Sequence, residues 1–387
     1  MLCRLMFCFA DARYHPSELA HLPLSSRLLV KAARASAHAL QALPGLPADW
    51  RAKTTKGGQE TGTQHRGSAN QPLLRVGLVG GSFGNSTLTQ SLLPFLKISS
   101  GGQLGIEIVV FATEEAAGGD ATLPQVQDSV ADFVDISDLS PADTIKAMQW
   151  HPVDMLVFLL CTPLTSYVMA AHLASVQMSY LGFCGTCGSP DIDSTICDPV
   201  ACPRDSRKSD FVEAVIDMMP SFVPVPAVPE PTVPVATARR WRADAGLSPD
   251  AFVFCATAGA KYMDPTTFDS WMAIVTDVQY SVLWLPAVDK LAGKKLKDRA
   301  ATKGVSKNRL IVPRNLDARP GADRIAAICD LALDTKSANA PAHEIAALLA
   351  HGLPVVTVSG SKRCSRSSAS LLSAVGFGDM AHQVRFR

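Results

Sequence analysis

The stretch that decides the fold runs from Asn308 to Thr357 and reads NRLIVPRNLDARPGADRIAAICDLALDTKSANAPAHEIAALLAHGLPVVT. It contains an apolar run at 331–333, a loop of small residues, a helical segment at 343–351 and a second apolar run from Leu353. Gly352 is placed to end the helix, because glycine readily adopts the left-handed conformation that closes many helices. This order predicts strand, loop, helix and strand, which is the repeating unit of a parallel α/β sheet.

The loop of this unit is a candidate for binding a phosphate group. In open parallel sheets, ligands bind outside the carboxyl ends of the strands. A helix that begins there offers free backbone N–H groups and the positive end of its dipole. Every strand–loop–helix unit has such a loop, so an ordinary piece of sheet scaffold stays open as the alternative.

Length and composition bound the class of protein. The chain has 387 residues, enough for two domains, and its 47% hydrophobic and 18% charged composition is typical of a globular protein. The net charge of +1 creates no general attraction to nucleic acid or to a membrane surface. No apolar run reaches the roughly 18 residues of a membrane span. We therefore expect neither nucleic acid nor membrane as a partner, and we interpret the apolar segment 1–10 as the start of a truncated chain.

The ten cysteines are scattered along the chain. Cys184 and Cys187 form a CxxC pair, and Cys197 and Cys202 follow. A zinc or redox site would use such pairs, but the second pair has the wrong spacing for zinc and no histidine is near. We expect no metal site and a reducing compartment, in which buried thiols serve as small hydrophobic groups.

The order of apolar and helical segments predicts the domains. Residues 1–43 form an N-terminal helical extension, and 44–72 form a flexible linker rich in small and polar residues. An N-terminal Rossmann-like lobe spans 73–225, a Pro-rich inter-lobe linker spans 226–245, and a C-terminal lobe spans 246–387. The predicted fold class is α/β, with two parallel lobes in a GT-B-like arrangement and a ligand in the cleft between them.

Four stretches carry a resemblance to a known family. LRVGLVGGSFGN (74–85) is similar to LRVGYVSSDFGN, and VQMSYLGFCGTCG (176–188) is similar to IQAMWLGYPGTSG. KYMDP (261–265) is similar to YKIDP, and GLPVVT (352–357) is similar to GTPMVT. With their order, these stretches resemble the catalytic region of the protein O-GlcNAc transferase family, which has a sister branch of SPINDLY-type O-fucosyltransferases. The resemblance covers nearly the whole chain except the linker, and it includes neither the family's tetratricopeptide repeats nor its last C-terminal helix.

The resemblance implies a GT-B glycosyltransferase that transfers a sugar, with inversion, from UDP-GlcNAc to Ser or Thr of intracellular proteins. The C-terminal lobe would bind the nucleotide sugar. The implied partners are the nucleotide sugar and a protein acceptor, and the implied compartment is the cytoplasm or the nucleus. No metal and no other cofactor is implied, since UDP-GlcNAc is a co-substrate.

The resemblance also assigns candidate site residues. Lys261 would be the catalytic residue, because the departing diphosphate gains negative charge and requires cations or helix N–H groups. The remaining candidates would bind substrate: Arg319, Arg324, Asn339, His343, Glu344, Ser86, Gly185 and Thr186.

Departures from the family pattern leave alternatives open. Ser86 stands where the family has a histidine, and a serine hydroxyl cannot act as a base at neutral pH. The family's lysine falls on Tyr262, one residue after Lys261, and Glu344 brings negative charge to a phosphate position. Lys261 is equally interpretable as a solvated loop lysine. The alternative functions are a catalytically silent pseudo-glycosyltransferase or binding module, and a GDP-fucose-dependent O-fucosyltransferase.

Overall fold

A computed structural model describes residues 73–102, 104–182, 185–225, 233–312 and 320–383. The predicted helical extension (1–43) and flexible linker (44–72) lie outside the described residues, as does the segment 226–232 of the predicted inter-lobe linker. The chain divides into two compact units, Met1–Phe222 and Val223–Arg387, which are called the N-terminal and C-terminal lobes below.

The N-terminal lobe contains a seven-stranded sheet of order β3-β2-β1-β4-β5-β6-β7, in which neighbouring strands are parallel. Its strands are β1 (Leu74–Val79), β2 (Ile106–Ala112), β3 (Asp132–Asp135), β4 (Met155–Phe158), β5 (Val176–Ser179), β6 (Ser194–Cys197) and β7 (Ala214–Asp217). Its helices are α1 (Thr87–Ser100), α2 (Thr122–Gln127), α3 (Pro141–Trp150), α4 (Pro163–Ala171) and α5 (Arg204–Asp210). The strand order reverses between β1 and β4, so the loops after these two strands flank a topological switch point.

The C-terminal lobe contains a six-stranded sheet of order β10-β9-β8-β11-β12-β13, again with parallel neighbours. Its strands are β8 (Phe252–Cys255), β9 (Ser281–Trp284), β10 (Leu310–Ile311), β11 (Leu331–Leu333), β12 (Val355–Ser359) and β13 (Ala381–Gln383). Its helices are α6 (Val235–Asp244), α7 (Pro265–Asp277), α8 (Lys290–Thr302), α9 (Ala322–Ile328), α10 (Ala342–Ala350) and α11 (Ser367–Ala374). Here the switch point lies between β8 and β11.

Each lobe has its own hydrophobic core. In the N-terminal lobe, Phe111, Leu156 and Phe158 are almost fully buried among the strands and helices. In the C-terminal lobe, Phe268 and Trp271 of α7 pack against the strand residues of the second sheet. Both faces of a parallel sheet are covered by helices, which explains why the central strands are almost continuously apolar.

Local sequence signals fix several of these boundaries as predicted. Asp264 caps α7 and Pro265 occupies its first turn, where the missing N–H of proline costs no hydrogen bond. Gly352 has a φ of +80° directly after α10, so the predicted left-handed glycine stop is confirmed.

The segment 226–245, predicted as the inter-lobe linker, contains the regular helix α6, where the Trp241 ring lies 5.5 Å from Cζ of Arg324 on α9. One expectation needs correction. Cys197 and Cys202, which we expected to be reduced, form a disulfide between the end of β6 and the start of α5.

Two kinds of feature are absent from the described residues. In that part of the chain, no helix has the length and apolar character needed to cross a membrane. Among the same residues, no three His, Cys, Asp or Glu side chains are grouped so as to hold a metal ion.

Candidate functional site

The switch point of the C-terminal lobe brings together two of the predicted site segments. The loop after β8 contains Lys261 in a short 3₁₀ turn, Ala260–Tyr262. The loop after β11 runs from Asp334 to Pro341 and leads into α10. Since β8 and β11 are neighbouring parallel strands, both loops leave the same edge of the sheet.

Asp264 joins these two loops. Its Oδ1 accepts hydrogen bonds from the backbone N–H groups of Thr266 and Thr267, both at 2.9 Å, which caps α7. Its Oδ2 accepts a hydrogen bond at 2.7 Å from Oγ of Ser337, in the loop after β11. Burial raises the pKa of Asp264, but the hydrogen bonds from Thr266, Thr267 and Ser337 outweigh burial and lower that pKa well below its ordinary value.

Asp334 organises the loop after β11 from inside the lobe. Its Oδ1 accepts hydrogen bonds from the N–H groups of Thr335 and Ala340, both at 2.8 Å, and its Oδ2 accepts one from Oγ1 of Thr357, also at 2.8 Å. The loop is therefore folded around a single carboxylate. Burial raises the pKa of Asp334, and the hydrogen bonds it accepts only partly oppose that effect.

Asn339 is one of the predicted substrate-binding residues, and its side chain holds the loop itself. Nδ2 donates to the carbonyl oxygen of Thr335 at 3.0 Å, and Oδ1 accepts from the N–H of Ser368 at 3.3 Å. The residue is only 5% exposed. Its substrate contact stays a prediction, and the observed role is to fix the shape of the loop before α10.

The first turn of α10 contains His343 and Glu344, both half-buried. Pro341 occupies the cap position, and its side chain makes no hydrogen bond that would cap the helix. The positive end of the helix dipole stabilises a nearby negative charge, so Glu344 suits the helix. The same carboxylate would repel a phosphate group brought to this helix end.

The two described basic residues of the predicted site have different observed contacts. Lys261 is exposed, and its Nζ lies 5.3 Å from the centroid of the Tyr262 ring. Arg324 is half-buried against the Trp241 ring of α6, so its guanidinium serves helix packing. Arg319 lies outside the described residues.

In the N-terminal lobe, Ser86 is the cap residue of α1. Its Oγ accepts a hydrogen bond from the backbone N–H of Thr89 at 3.1 Å, and the two hydroxyl groups are 3.0 Å apart. The side chain is exposed at the end of the loop that follows β1. The predicted substrate contact of Ser86 stays a prediction, and its observed contacts stabilise the helix start.

Gly185 and Thr186 lie in the loop after β5, and Glu213 holds this loop. The Thr186 hydroxyl donates to the Glu213 carboxylate, which also accepts the N–H of Cys187 at 2.9 Å. Thr186 is 2% exposed and Glu213 is 6% exposed. Sequence reasoning missed Glu213, since nothing in its local sequence indicates that a carboxylate just before β7 turns toward a loop 26 residues earlier. Asp193 and Asp198 also accept hydrogen bonds from backbone N–H groups of this lobe.

The C-terminal part of the chain matches the sequence profile of a known protein family. Residues 227–385 match the sequence profile described as Glycosyl transferase family 41. This region, called the family-41 region below, is similar to glycosyl transferase family 41. The family-41 region contains Lys261, Arg324, Asn339, His343 and Glu344, so most of the predicted site lies within it.

Curated relatives extend the likeness beyond the family-41 region. A probable UDP-N-acetylglucosamine–peptide N-acetylglucosaminyltransferase, SEC of Arabidopsis thaliana, is 25% identical over 308 residues, which are 79% of this chain and 31% of the relative. A UDP-N-acetylglucosamine–peptide N-acetylglucosaminyltransferase of Caenorhabditis elegans is 28% identical over 144 residues, 37% of this chain and 12% of the relative. The chain thus spans about a third or less of the relatives it matches. The predicted resemblance to the catalytic region of O-GlcNAc transferases is confirmed.

A solved structure supports the fold assignment. A mutant O-GlcNAc transferase of Thermobaculum terrenum superposes with a TM-score of 0.71 at 21% identity, covering 94% of this chain and 65% of that chain. The predicted GT-B glycosyltransferase fold, with its two Rossmann-like lobes, is confirmed.

Proposed function

We propose that this chain transfers N-acetylglucosamine from UDP-GlcNAc to Ser or Thr of a protein acceptor. One observation carries the proposal: within the family-41 region, Asp264 and Ser337 join the two loops of the switch point, where nucleotides bind in parallel sheets. The printed names of the Arabidopsis and Caenorhabditis relatives supply the reaction. The proposed setting is the cytoplasm or the nucleus, and the proposed reaction needs no metal.

The donor diphosphate would be held from both loops. Lys261, exposed after β8, can donate to a phosphate oxygen as the leaving group gains charge. The first turn of α10 supplies backbone N–H groups and a positive dipole. Asn339 and Asp334 contribute indirectly, because they fix the loop that positions this helix end.

A second candidate function is a catalytically silent relative that keeps the fold and binds no donor. Two observations favour it. Glu344 places a carboxylate in the first turn of α10, and Ser86, at the position of the family's histidine, is engaged as a helix cap. A transferase also requires a proton route from the acceptor hydroxyl, and Ser86 cannot act as the base.

Calorimetric titration of the purified chain with UDP, in buffer containing EDTA, tests the transferase proposal. We expect micromolar binding that Lys261→Ala weakens by roughly 10–100-fold, since a charge-assisted hydrogen bond contributes about 1.5–3 kcal/mol. Lys295→Ala is the matched control, because Lys295 is an exposed lysine of α8 in the same lobe.

Three results would contradict the proposal in whole or in part. Binding that EDTA abolishes would contradict the metal-free reaction. Tighter binding of GDP than of UDP would favour the GDP-fucose alternative. The absence of heat with either nucleotide, from a sample whose circular dichroism shows it to be folded, would leave the silent relative.

A further inference from the structure

Two cysteine thiols meet at the switch point of the N-terminal lobe. Cys161 follows β4 by three residues, and Cys187 lies in the loop after β5. Their Sγ atoms are 3.1 Å apart, although the residues are separated by 26 positions in the chain. The fold, and not the local sequence, therefore creates this pair.

Each of the two cysteines lies in a loop that is fixed by its own hydrogen bonds. Cys161 directly precedes Thr162, whose hydroxyl accepts the N–H of Thr165 in the capping box of α4. Cys187 donates its N–H to Glu213 at 2.9 Å, while the neighbouring hydroxyl of Thr186 donates to the same carboxylate. The proximity of the sulfur atoms therefore follows from two independently anchored loops.

The separation of the sulfur atoms is close to that of a covalent bond. A disulfide has an S–S length of about 2.05 Å, so the thiols need to approach by roughly 1 Å. Cys161 is 8% exposed, whereas Cys187 is half-buried and accessible to a small oxidant. We propose that Cys161 and Cys187 form a redox modification site, at which a hydroperoxide converts the two thiols into a reversible disulfide.

The chemistry balances with one equivalent of hydrogen peroxide. The Cys187 sulfur attacks one peroxide oxygen, the O–O bond breaks, and Cys187 becomes a sulfenic acid with release of water. The Cys161 sulfur then attacks the sulfenic sulfur, and the departing hydroxide takes up the thiol proton to form a second water. Both thiols are oxidised and the peroxide is reduced, so two thiols and one peroxide give one disulfide and two waters.

A second pair of cysteines provides an internal comparison. Cys255 of β8 and Cys329, just before β11, are both buried in the C-terminal lobe. Burial, followed by the hydrogen bond with Cys255, raises the pKa of Cys329 well above its ordinary value. The thiolate is the reactive form of cysteine, so this buried pair reacts slowly with the same oxidant.

The cross-link has a structural consequence. It would tie the loop after β4 to the loop that contains Gly185 and Thr186, with α4 and β5 enclosed between the two linked residues. An effect of this link on substrate binding rests on the proposed function. The formation of the disulfide does not, so failure of one proposal leaves the other intact.

The test is differential thiol labelling of the full chain. The reduced protein is freed of reductant, exposed to hydrogen peroxide, alkylated, and digested without reduction by chymotrypsin together with a protease that cleaves before Asp. No Lys or Arg separates Cys161 from Cys187, so trypsin alone would not resolve them. Tyr167 and Asp191 provide cleavage sites that separate Cys161 from Cys187, and Cys187 from Cys197.

We expect a cross-linked peptide containing Cys161 and Cys187, lighter than the two reduced peptides by about 2 Da and released by dithiothreitol. The thiols of this pair should disappear about tenfold faster than those of Cys255 and Cys329. Cys187→Ser should abolish the cross-link, and Cys184→Ser, its neighbour in the CxxC sequence, should preserve it.

The opposite pattern would overturn the proposal. A link that survives Cys187→Ser but is lost in Cys184→Ser would assign the chemistry to Cys184. Alkylation of both Cys161 and Cys187 in oxidised wild-type protein would show that no disulfide forms. The second outcome is read on the wild-type chain, so a variant that fails to fold leaves the test decisive.

Discussion

At the scale of single residues, two carboxylates of the same lobe illustrate how environment sets the charge of a group. Asp264 accepts hydrogen bonds from two backbone N–H groups and from three hydroxyls, and its pKa is lowered. Asp334 is buried, and its pKa is raised even though it accepts several hydrogen bonds. The first carboxylate stabilises the fold in its charged form, whereas burial disfavours the charged form of the second.

Asp264→Asn should lower the stability of the chain at neutral pH by about 1–2 kcal/mol. Asparagine keeps one acceptor oxygen for the α7 N–H groups, but its amide NH₂ would face the hydroxyls of Thr267 and Ser337, which now donate. Because the folded-state pKa is lowered, the contribution is complete above the unfolded pKa of about 4 and declines as the pH falls below it. Thermal melts between pH 7 and pH 3 measure the difference.

The matched control for this prediction is Asp289→Asn at the cap of α8. Asp289 Oδ1 accepts the N–H of Ala292 at 2.8 Å, a bond that an asparagine oxygen can also accept. We expect a smaller loss of stability there. A gap between wild type and Asp264→Asn that widens on acidification would contradict the assigned direction of the pKa shift.

At the scale of elements, sequence patterns predicted the central parts of both sheets well. β11 has the predicted bounds, 331–333, and α10 lies within one residue of the helix predicted at 343–351, because a short apolar run and a glycine stop are strong local signals. β6, β7, α5, α11 and β13 were not predicted. β7 is an edge strand with exposed residues, so the apolar pattern that identifies a buried strand is absent from it.

The candidate site was only partly predictable for a related reason. Asp264 and Gly352 act on adjacent residues, so their roles follow from the local sequence. Asp334 contacts Thr357, and Glu213 contacts Thr186, at separations of 23 and 27 residues. Such contacts depend on which strands become neighbours, and a single sequence read without its fold does not contain that information.

Gly182→Ala should disrupt the loop after β5. An added Cβ would lie 2.0 Å from the backbone carbonyl oxygen of Leu159, at the end of β4, and 2.6 Å from Cδ2 of Leu160. Backbone atoms cannot rotate away, so the loop must shift at a cost of about 1–3 kcal/mol. Chemical denaturation measures this loss.

Gly118→Ala is the control for this substitution, because an added Cβ there would meet no atom within 4 Å. We expect its stability to stay within about 0.5 kcal/mol of wild type. Equal effects of the two substitutions would show that the close approach of Gly182 to β4 does not constrain this loop.

At the scale of the whole molecule, the two lobes repeat one design. Each has a parallel sheet whose strand order reverses once, and in each the loops at the reversal contain predicted site residues or the cysteine pair. The tryptophans of the two lobes differ in their exposure to solvent. Trp271 and Trp284 are buried in the C-terminal lobe, whereas Trp150 of the N-terminal lobe is 83% exposed. Tryptophan emission can therefore report on the core of one lobe.

UDP should raise the unfolding midpoint that is followed by the emission of the C-terminal-lobe tryptophans. Replacing Trp50 and Trp150 by Phe leaves only Trp241, Trp271 and Trp284 to emit, without touching the C-terminal core. At a UDP concentration of about 100 times Kd, binding adds about 2.7 kcal/mol. For a lobe of this size the midpoint should rise by roughly 5–10 °C.

At the same UDP concentration, Lys261→Ala should lose about half or more of this rise. An unchanged midpoint in protein that calorimetry shows to be saturated with UDP would place the nucleotide away from the C-terminal core.

The cluster around Asp334 has a consequence for how these sequences change over evolutionary time. The carboxylate and its hydrogen-bond donors at Thr335, Ala340 and Thr357 form one buried unit, in which a single altered member leaves another without its partner. Side-chain positions 334 and 357 should therefore covary. A lineage that replaces the aspartate should replace the threonine hydroxyl as well, and one that keeps the aspartate should keep a hydroxyl opposite it.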